Sequence, residues 1–279
     1  MKALVPCGRY GTRLRPFTRS MPKQLFPVAN RPVLEHLPGY IHARGVTDIV
    51  VGAQGRPVAE AIGDGSRPGA RITCIVQQTP LGLAHCVAPV RSFLGDDDFL
   101  MYPDDHVLAD DVTTVAEEFV APRPDAQVTV CKVTDPRAFG VAKLDVEGRV
   151  AHLVENRETP SSGLSLIGVY FFTPAIHEAV ASLESNARGE LVITDALHRM
   201  VSHGHKVRPS EYADRWKDTG STEDVLNCNR RLLKILRSHA AGHVGALDSL
   251  RGTVVIEAAA RVVRFTGSSG DDTRSEVVA

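Results

Sequence analysis

Ala3-Leu4-Val5-Pro6-Cys7-Gly8-Arg9-Tyr10-Gly11-Thr12-Arg13-Leu14-Arg15-Pro16 begins as an apolar run and ends as a glycine-punctuated, arginine-bearing loop. The run over residues 3–6 has the length of a buried strand, not of a helix. A strand that runs into glycines lets backbone N–H groups approach a phosphate closely, and Arg13 and Arg15 then add positive charge. Pro22-Lys23-Gln24 brings a lysine ten residues after Arg13. Taken by itself, the loop reads equally well as a glycine turn followed by solvated arginines, so its surroundings have to decide.

Outward from this loop, short apolar runs alternate with helix-length amphipathic stretches. Residues 49–51, 72–76 and 99–102 read as further buried strands, and 33–43, 58–62 and 83–93 as helices between them. Strand–helix–strand alternation predicts parallel strands with helices on both faces, a Rossmann-like α/β sheet. Ligands of such sheets sit beyond the carboxyl ends of the strands, which points to the loops after Val5 and after Tyr102. From 127 to 172 the rhythm changes to closely spaced strands at 127–132, 141–144, 150–154 and 165–172. Gly140, Gly148 and Pro160-Ser161-Ser162-Gly163 punctuate them. This stretch predicts an inserted antiparallel or mixed sheet covering the ligand crevice. Helical pattern returns at 176–183 and 194–202. A strong helix is expected over 222–239, with Ser221 or Thr222 as N-cap and Glu223-Asp224 in its first turn. In the tail, Val244, Leu250, Ile256 and Val262 recur every six residues, with Gly252 at a turn. That period predicts a short left-handed β-helix stub; a surface strand pair with a frayed tail is the other reading. The expected division is a domain over 1–240 and a short segment over 241–279.

The totals bound the function. A chain of 279 residues allows one large domain or one with an appendage, at roughly 150 residues per domain. Hydrophobic residues at 43% and charged residues at 23% are enough for an ordinary globular core. The formal net charge of −1 supplies no global field for nucleic acid or an anionic membrane, so neither is an expected partner. Cys7, Cys74, Cys86, Cys131 and Cys228 are odd in number and scattered, with no C-x-x-C pair, which argues against a disulfide framework or a structural zinc site. The N-terminus lacks a signal-peptide pattern and no run of about 18 apolar residues occurs, so a cytoplasmic protein is expected.

Gly11-Thr12-Arg13-Leu14-Arg15-Pro16, followed by Pro22-Lys23-Gln24-Leu25-Phe26-Pro27-Val28, resembles the signature of the sugar-1-phosphate nucleotidyltransferases. Within that family it is most similar to the long glucose-1-phosphate thymidylyltransferases with a C-terminal β-helix. Further matches follow in order: Gly63-Asp64-Gly65-Ser66, Gln77 with Pro80-Leu81-Gly82-Leu83-Ala84-His85, Tyr102 through Asp105, and Phe139-Gly140-Val141. Gly168-Val169-Tyr170-Phe171, Arg188-Gly189-Glu190-Leu191 with Thr194-Asp195, and Trp216-Lys217-Asp218-Thr219-Gly220 complete the series, which spans about residues 1–265. The resemblance implies transfer of a nucleotidyl group from a nucleoside triphosphate, with dTTP the first choice, to a sugar 1-phosphate, with glucose 1-phosphate the first choice, releasing pyrophosphate. Two polyanions must meet, so positioning and charge neutralisation carry such a reaction. By the same resemblance, Arg13 would hold the triphosphate and Lys23 would bridge the phosphates of both substrates. Gly8, Gly11, Thr12, Gln77 and Gly82 would contact the nucleotide, and Gly140, Glu155, Asn156 and Val169 the sugar phosphate. Asp105 and Asp218 would bind Mg²⁺, which prefers one or two carboxylates with phosphate oxygens and water. A homo-oligomer is implied too.

Three departures fall in sensitive places. Arg9 stands where the family loop has a glycine, and a side chain there costs about 1 kcal/mol or more if the backbone needs positive φ. Asn156 stands where the family has a lysine on the sugar phosphate, a charge-assisted contact worth roughly 1.5–3 kcal/mol. Asp104-Asp105-His106 replaces Gly-Asp-Asn. The departures leave two alternatives open: a catalytically impaired nucleotide-binding homologue, or the same chemistry on another sugar or cyclitol phosphate or another nucleotide. A glycosyltransferase would want an acidic metal pair after its strand, whereas Asp96-Asp97-Asp98 precedes one.

Overall fold

The structure is a computed structural model that describes residues 1–8, 11–29, 31–42, 46–53, 56–63, 66–67, 70–77, 79, 81–107, 113–133, 135–137, 139–155, 162–212, 217–235, 239–240, 255–256, 261–264 and 275–278. Its strands are β1 (Lys2–Cys7), β2 (Pro27–Val28), β3 (Arg31–Pro32), β4 (Asp48–Ala53), β5 (Ser66–Arg67), β6 (Ala70–Val76), β7 (Phe99–Met101), β8 (His106–Val107) and β9 (Ala126–Lys132). Then come β10 (Gly140–Leu144), β11 (Val150–Glu155), β12 (Leu164–Phe172), β13 (Val207–Glu211) and β14 (Lys217–Asp218). The helices are α1 (Val33–His42), α2 (Arg56–Ile62), α3 (Arg91–Leu94), α4 (Thr113–Val120), α5 (Ala175–Ala181), α6 (Ile193–Ser202) and α7 (Thr222–Ile235).

Alternation along β1 sets up two cores. Leu4 points into one apolar cluster with Val50, Phe99 and Met101. Ala3, Val5 and Cys7 point into another with Ile49, Val51, Leu100 and Tyr102. Successive side chains of a strand face opposite sides, so a strand buried on both faces needs a layer on each. The first face is covered by Ile176 and Val180 of α5 and by Ile193, Leu197 and Met200 of α6. The second is covered by Leu37 and Ile41 of α1, Val58 and Ile62 of α2, and Val115 and Phe119 of α4. Each such side chain fully buried contributes roughly 1.5–3 kcal/mol.

The sheet has ten strands in the order β11-β10-β12-β7-β1-β4-β6-β5, with β9 paired to β12 and β13 paired to β9. β1 runs parallel to β4 and β7, and β4 parallel to β6. The strands beyond β7 do not form a separate inserted sheet. β12 joins them to the main sheet and forks it: residues 170–172 pair antiparallel with β7, while Ser165 pairs with Val141 of β10. The register against β9 shifts between Leu166 and Tyr170, around Gly168 at φ +81°. An extra-residue bulge of this kind bends a strand and lets its two halves serve different partners.

Other boundaries differ for identifiable reasons. The single helix expected over 83–93 is a 3₁₀ turn, Ala84–Val87, and then the short α3. Pro89 has no N–H to continue an α-helix, and the N–H of Ala88 bonds back three residues to His85 O at 3.2 Å. α4 and β13 were not anticipated. β13 carries Pro209, which an edge strand paired only to β9 tolerates. α7 starts where a cap was expected, with the N–H of Asp224 donating to Ser221 Oγ at 3.2 Å. By contacts the chain divides into Met1–Val225 and Leu226–Ala279.

In the second unit, β15 (His239–Ala240) pairs parallel with β16 (Val255–Ile256), and β17 (Arg261–Arg264) antiparallel with β18 (Ser275–Val278). Of the six-residue series, Val244 and Leu250 lie outside the described residues, while Ile256 and Val262 fall in β16 and β17. Among the described residues no helix is long and apolar enough to cross a membrane.

Candidate functional site

From β1 the chain winds through β4 to β6 on one side, then returns to place β7 on the other side of β1. The loops leaving the carboxyl ends of β1 and β7 therefore part, and a crevice forms between them, as at other switch points of parallel sheets. A cleft of about 510 Å³ opens there. Gly8, Gly11, Thr12 and Arg13 line it from the β1 side, and Pro103, Asp104 and Asp105 from the β7 side.

The β1 loop is held by close packing. Gly11 has φ +61°, and a Cβ there would sit 2.9 Å from Lys23 Cβ and 3.0 Å from Thr18 Cγ2. Both the left-handed backbone and the lack of room demand glycine. Thr18 Oγ1 donates to Gly11 O at 2.8 Å, and the exposed Arg13 follows in the turn Thr12–Leu14. The turn Lys23–Leu25 brings in Lys23, which is only 5% exposed and whose Nζ pairs with Asp105 Oδ2. Beside it, Gln24 Nε2 donates to Cys7 O at 3.2 Å and to Asp104 Oδ2. This side chain ties the end of β1 to the end of β7. Asp104 and Asp105 are each 1% exposed. Burial, followed by the field of Asp104, pushes the Cys7 thiol well above its usual range, which keeps it neutral.

Asp105 is also gripped through its backbone. Its carbonyl accepts from Thr219 N at 2.8 Å and from Thr219 Oγ1 at 3.2 Å. The β8–β14 pairing sets Asp218 opposite His106, so the chain at Asp218 runs alongside the chain at Asp105. The Asp218 side chain lies outside the described residues, as do Arg9 and Asn156.

A second wall follows β6. Gln77 is fixed by its N–H donating to Ala53 O at 2.8 Å. Its side chain is 3% exposed and lines the cleft, with Nε2 lacking a hydrogen-bond partner among the described residues. Such an orphaned buried donor costs about 1–3 kcal/mol unless an acceptor entering the cleft pairs with it. Cys86 Sγ lies 3.8 Å from Gln77 Oε1. Gly82 has φ +103°, and a Cβ there would fall 2.5 Å from Leu191 O. The two segments are zipped together: Leu191 N donates to Leu81 O at 2.6 Å and Ala84 N to Leu191 O at 3.0 Å.

The third wall comes from beyond the fork. Gly140 and Glu155 are partners in the β10–β11 register, and both line the cleft. Thr194 Oγ1 of α6 donates to Glu155 Oε2 at 3.1 Å. Val169 is placed differently: its side chain is fully buried in the apolar cluster on the α1 face, while Gly168 and Tyr170 on either side line the cleft. One cleft thus gathers Gly8, Gly11, Thr12, Arg13, Lys23, Gln77, Gly82, Asp105, Gly140 and Glu155. Gln24, Thr194 and Leu191 sat inside recognised motifs without a role, because each acts through a partner more than 16 residues away in the chain.

The cleft is chemically divided. A glycine-rich wall with Arg13 and Lys23 meets a buried carboxylate pair, with the Gln77 amide on one flank and the Glu155 carboxylate on the other. A doubly wound sheet with this cleft at its switch point defines a nucleotide-binding α/β protein. The nucleotidyl transferase family model matches residues 2–235, and the chain belongs to that family; its chemistry is nucleotidyl transfer. It is similar to the glucose-1-phosphate thymidylyltransferase of Streptomyces griseus, 47% identical over 264 residues that cover 94% of this chain and 74% of the relative. The enzyme of the same name from Streptomyces antibioticus is 44% identical over 265 residues, with the same coverage. A solved structure from Bacillus anthracis, described as a glucose-1-phosphate thymidylyltransferase in complex with a sucrose, aligns at a TM-score of 0.76 and 27% identity, covering 82% of this chain and 94% of that one. A UDP-glucose pyrophosphorylase complexed with UDP-glucose shares the fold at a TM-score of 0.75 and 21% identity, covering 84% and 98%.

Proposed function

We propose that the chain transfers the thymidylyl group of dTTP to glucose 1-phosphate, forming dTDP-glucose and pyrophosphate, in the cytoplasm. The observation that carries this reading is the single cleft that joins the β1 loop, Gln77 and Gly82 to Gly140 and Glu155, with Lys23 and Asp105 between them. An oxygen of the sugar phosphate attacks the α-phosphorus of the triphosphate. A P–O bond forms there as the bond to the β-phosphate oxygen breaks, and pyrophosphate leaves with the electron pair. The attacking oxygen is already ionised, so the protein's task is to bring two polyanions together and hold them in line.

In this reading the N–H groups near Gly8, Gly11 and Thr12 take the triphosphate, and Arg13 adds charge from the rim. Lys23 bridges the phosphates of both substrates. Buried next to Asp105, it is held in place before either substrate arrives, which spares reorganisation during reaction. Gln77 and Gly82 receive the base, and Glu155 a sugar hydroxyl over Gly140. The described lining carries four carboxylates, Asp104, Asp105, Glu155 and Glu190, against the cations Arg13 and Lys23. This excess of hard oxygen suits Mg²⁺, which Asp105 and Asp218 would hold. Bound Mg²⁺ neutralises charge on the phosphates.

The test is pyrophosphate release across four nucleoside triphosphates and several sugar 1-phosphates with Mg²⁺. Fastest release from dTTP with glucose 1-phosphate supports the proposal; no release from any pair rejects it. Arg9→Gly with Asn156→Lys separates the impaired reading, since a rate gain of tenfold or more on restoring a charge-assisted contact would favour it.

A further inference from the structure

Thr194 is 2% exposed, and its hydroxyl donates to Glu155 Oε2 at 3.1 Å. It is the second residue of α6, a ten-residue helix whose N-cap, Val192, makes no side-chain cap. Val192 and Ile193 line the cleft, so the start of α6 forms part of its wall. The packing explains how two residues 39 positions apart meet. Leu153 of β11 and Ile193, Leu197 and Met200 of α6 share one apolar cluster, which lays the first turn of the helix over the end of β11. Gly140 is the third member. A Cβ on it would come 3.0 Å from Glu155 Oε2 and 3.1 Å from Thr194 Cγ2, so glycine leaves room for the carboxylate to reach the hydroxyl.

We infer that Thr194 is a positioning residue for sugar recognition: its hydroxyl pins one oxygen of Glu155 and thereby turns the carboxylate toward the sugar in the cleft. The inference rests on the proposed role of Glu155. A glutamate at the end of an edge strand has three side-chain torsions to freeze on binding. A hydroxyl bond to one oxygen removes most of that freedom beforehand, and the positive end of the α6 dipole favours the ionised acceptor. Thr194 touches Glu155 and no reacting atom, so it sets affinity for the sugar half of the ligand and leaves the nucleotide half alone.

The measurement is calorimetric titration of the full chain with dTDP and with dTDP-glucose, which needs no turnover. The ratio of the two dissociation constants reads the sugar contacts alone. Thr194→Val keeps the branched shape and removes the hydroxyl; it should cut the ratio about tenfold with dTDP affinity unchanged. Thr194→Ser keeps the hydroxyl and should stay within about twofold of the parent ratio. In a Glu155→Gln background, Thr194→Val should cost much less than it does alone. An unchanged ratio in Thr194→Val overturns the inference, as does equal weakening of both ligands or failure of the serine variant to restore the ratio. If Glu155→Gln itself leaves the ratio unchanged, the assignment of Glu155 to the sugar fails, a separate outcome.

Discussion

At the scale of single residues, Lys23 and Asp105 form an ion pair in which both side chains are nearly inaccessible to water. Removing one partner of a buried pair leaves an uncompensated charge, so Lys23→Met should lower unfolding free energy by roughly 3–5 kcal/mol, read by urea titration. Adding Asp105→Asn should recover most of that stability while activity stays lost. If the double variant is no more stable than the single one, the pair is not a coupled unit. Much of this cleft was legible: Gly11, Arg13, Lys23 and Asp105 sit in motifs that resemble the family's, and all four line it. Gln24 lies in the same motif, and nothing local to it signals a role. Its work is to bond Cys7 O and Asp104, and the latter lies 80 residues on. Val169, placed at the sugar by the resemblance, turns its side chain into the apolar cluster on the α1 face and leaves the cleft wall to Gly168 and Tyr170. Strand alternation assigns facing only once the register is known, and the shift at Gly168 resets it.

Among the elements, α5 carries a pH dependence. His177 is buried on that helix, stacked 5.9 Å from the Phe99 ring. Burial, and then the nearby Arg91 charge, push its imidazole below its ordinary value of 6.5, against weaker raising effects from Gly95 and Asp96. The unfolded chain therefore takes up this proton at a higher pH than the folded one. Stability is full above pH 6.5 and declines as pH falls through the lowered folded-state value. His177→Gln should flatten that acid-side slope in thermal melts between pH 7 and pH 5; an unchanged slope would assign the loss to other groups. Elements with clean periodicity, such as β4, β9 and α6, were readable to within a residue or two. Those that failed did so where proline intervened. Pro89 splits the stretch after Gly82 into two turns, and Pro209 conceals an edge strand. α4 escaped because its apolar face is narrow, with Val115 and Phe119 one turn apart and Glu117 and Glu118 on the outside.

For the whole molecule, every described residue lining the cleft lies between 6 and 220, within Met1–Val225. A chain ended after residue 240 is expected to keep its nucleotide site. A ligand at a hundred times its dissociation constant adds about 2.7 kcal/mol to the folded state. dTTP with Mg²⁺ should therefore raise the melting temperature of the shortened and full-length chains alike, and EDTA should shrink the shift. A shift confined to the full-length chain would place part of the site beyond residue 240. The doubly wound half was legible from the alternation of runs. The union of both halves in one sheet was not, because pairing between β7 and β12 joins residues about 70 apart with no local signature. That union has a mechanical meaning. β12 is stitched to β7 along its last residues and to β10 near its first, with Gly168 at the seam and in the cleft wall. β9 pairs with β12 on either side of that seam, so the bend in the cleft wall is braced along its other flank before any ligand arrives.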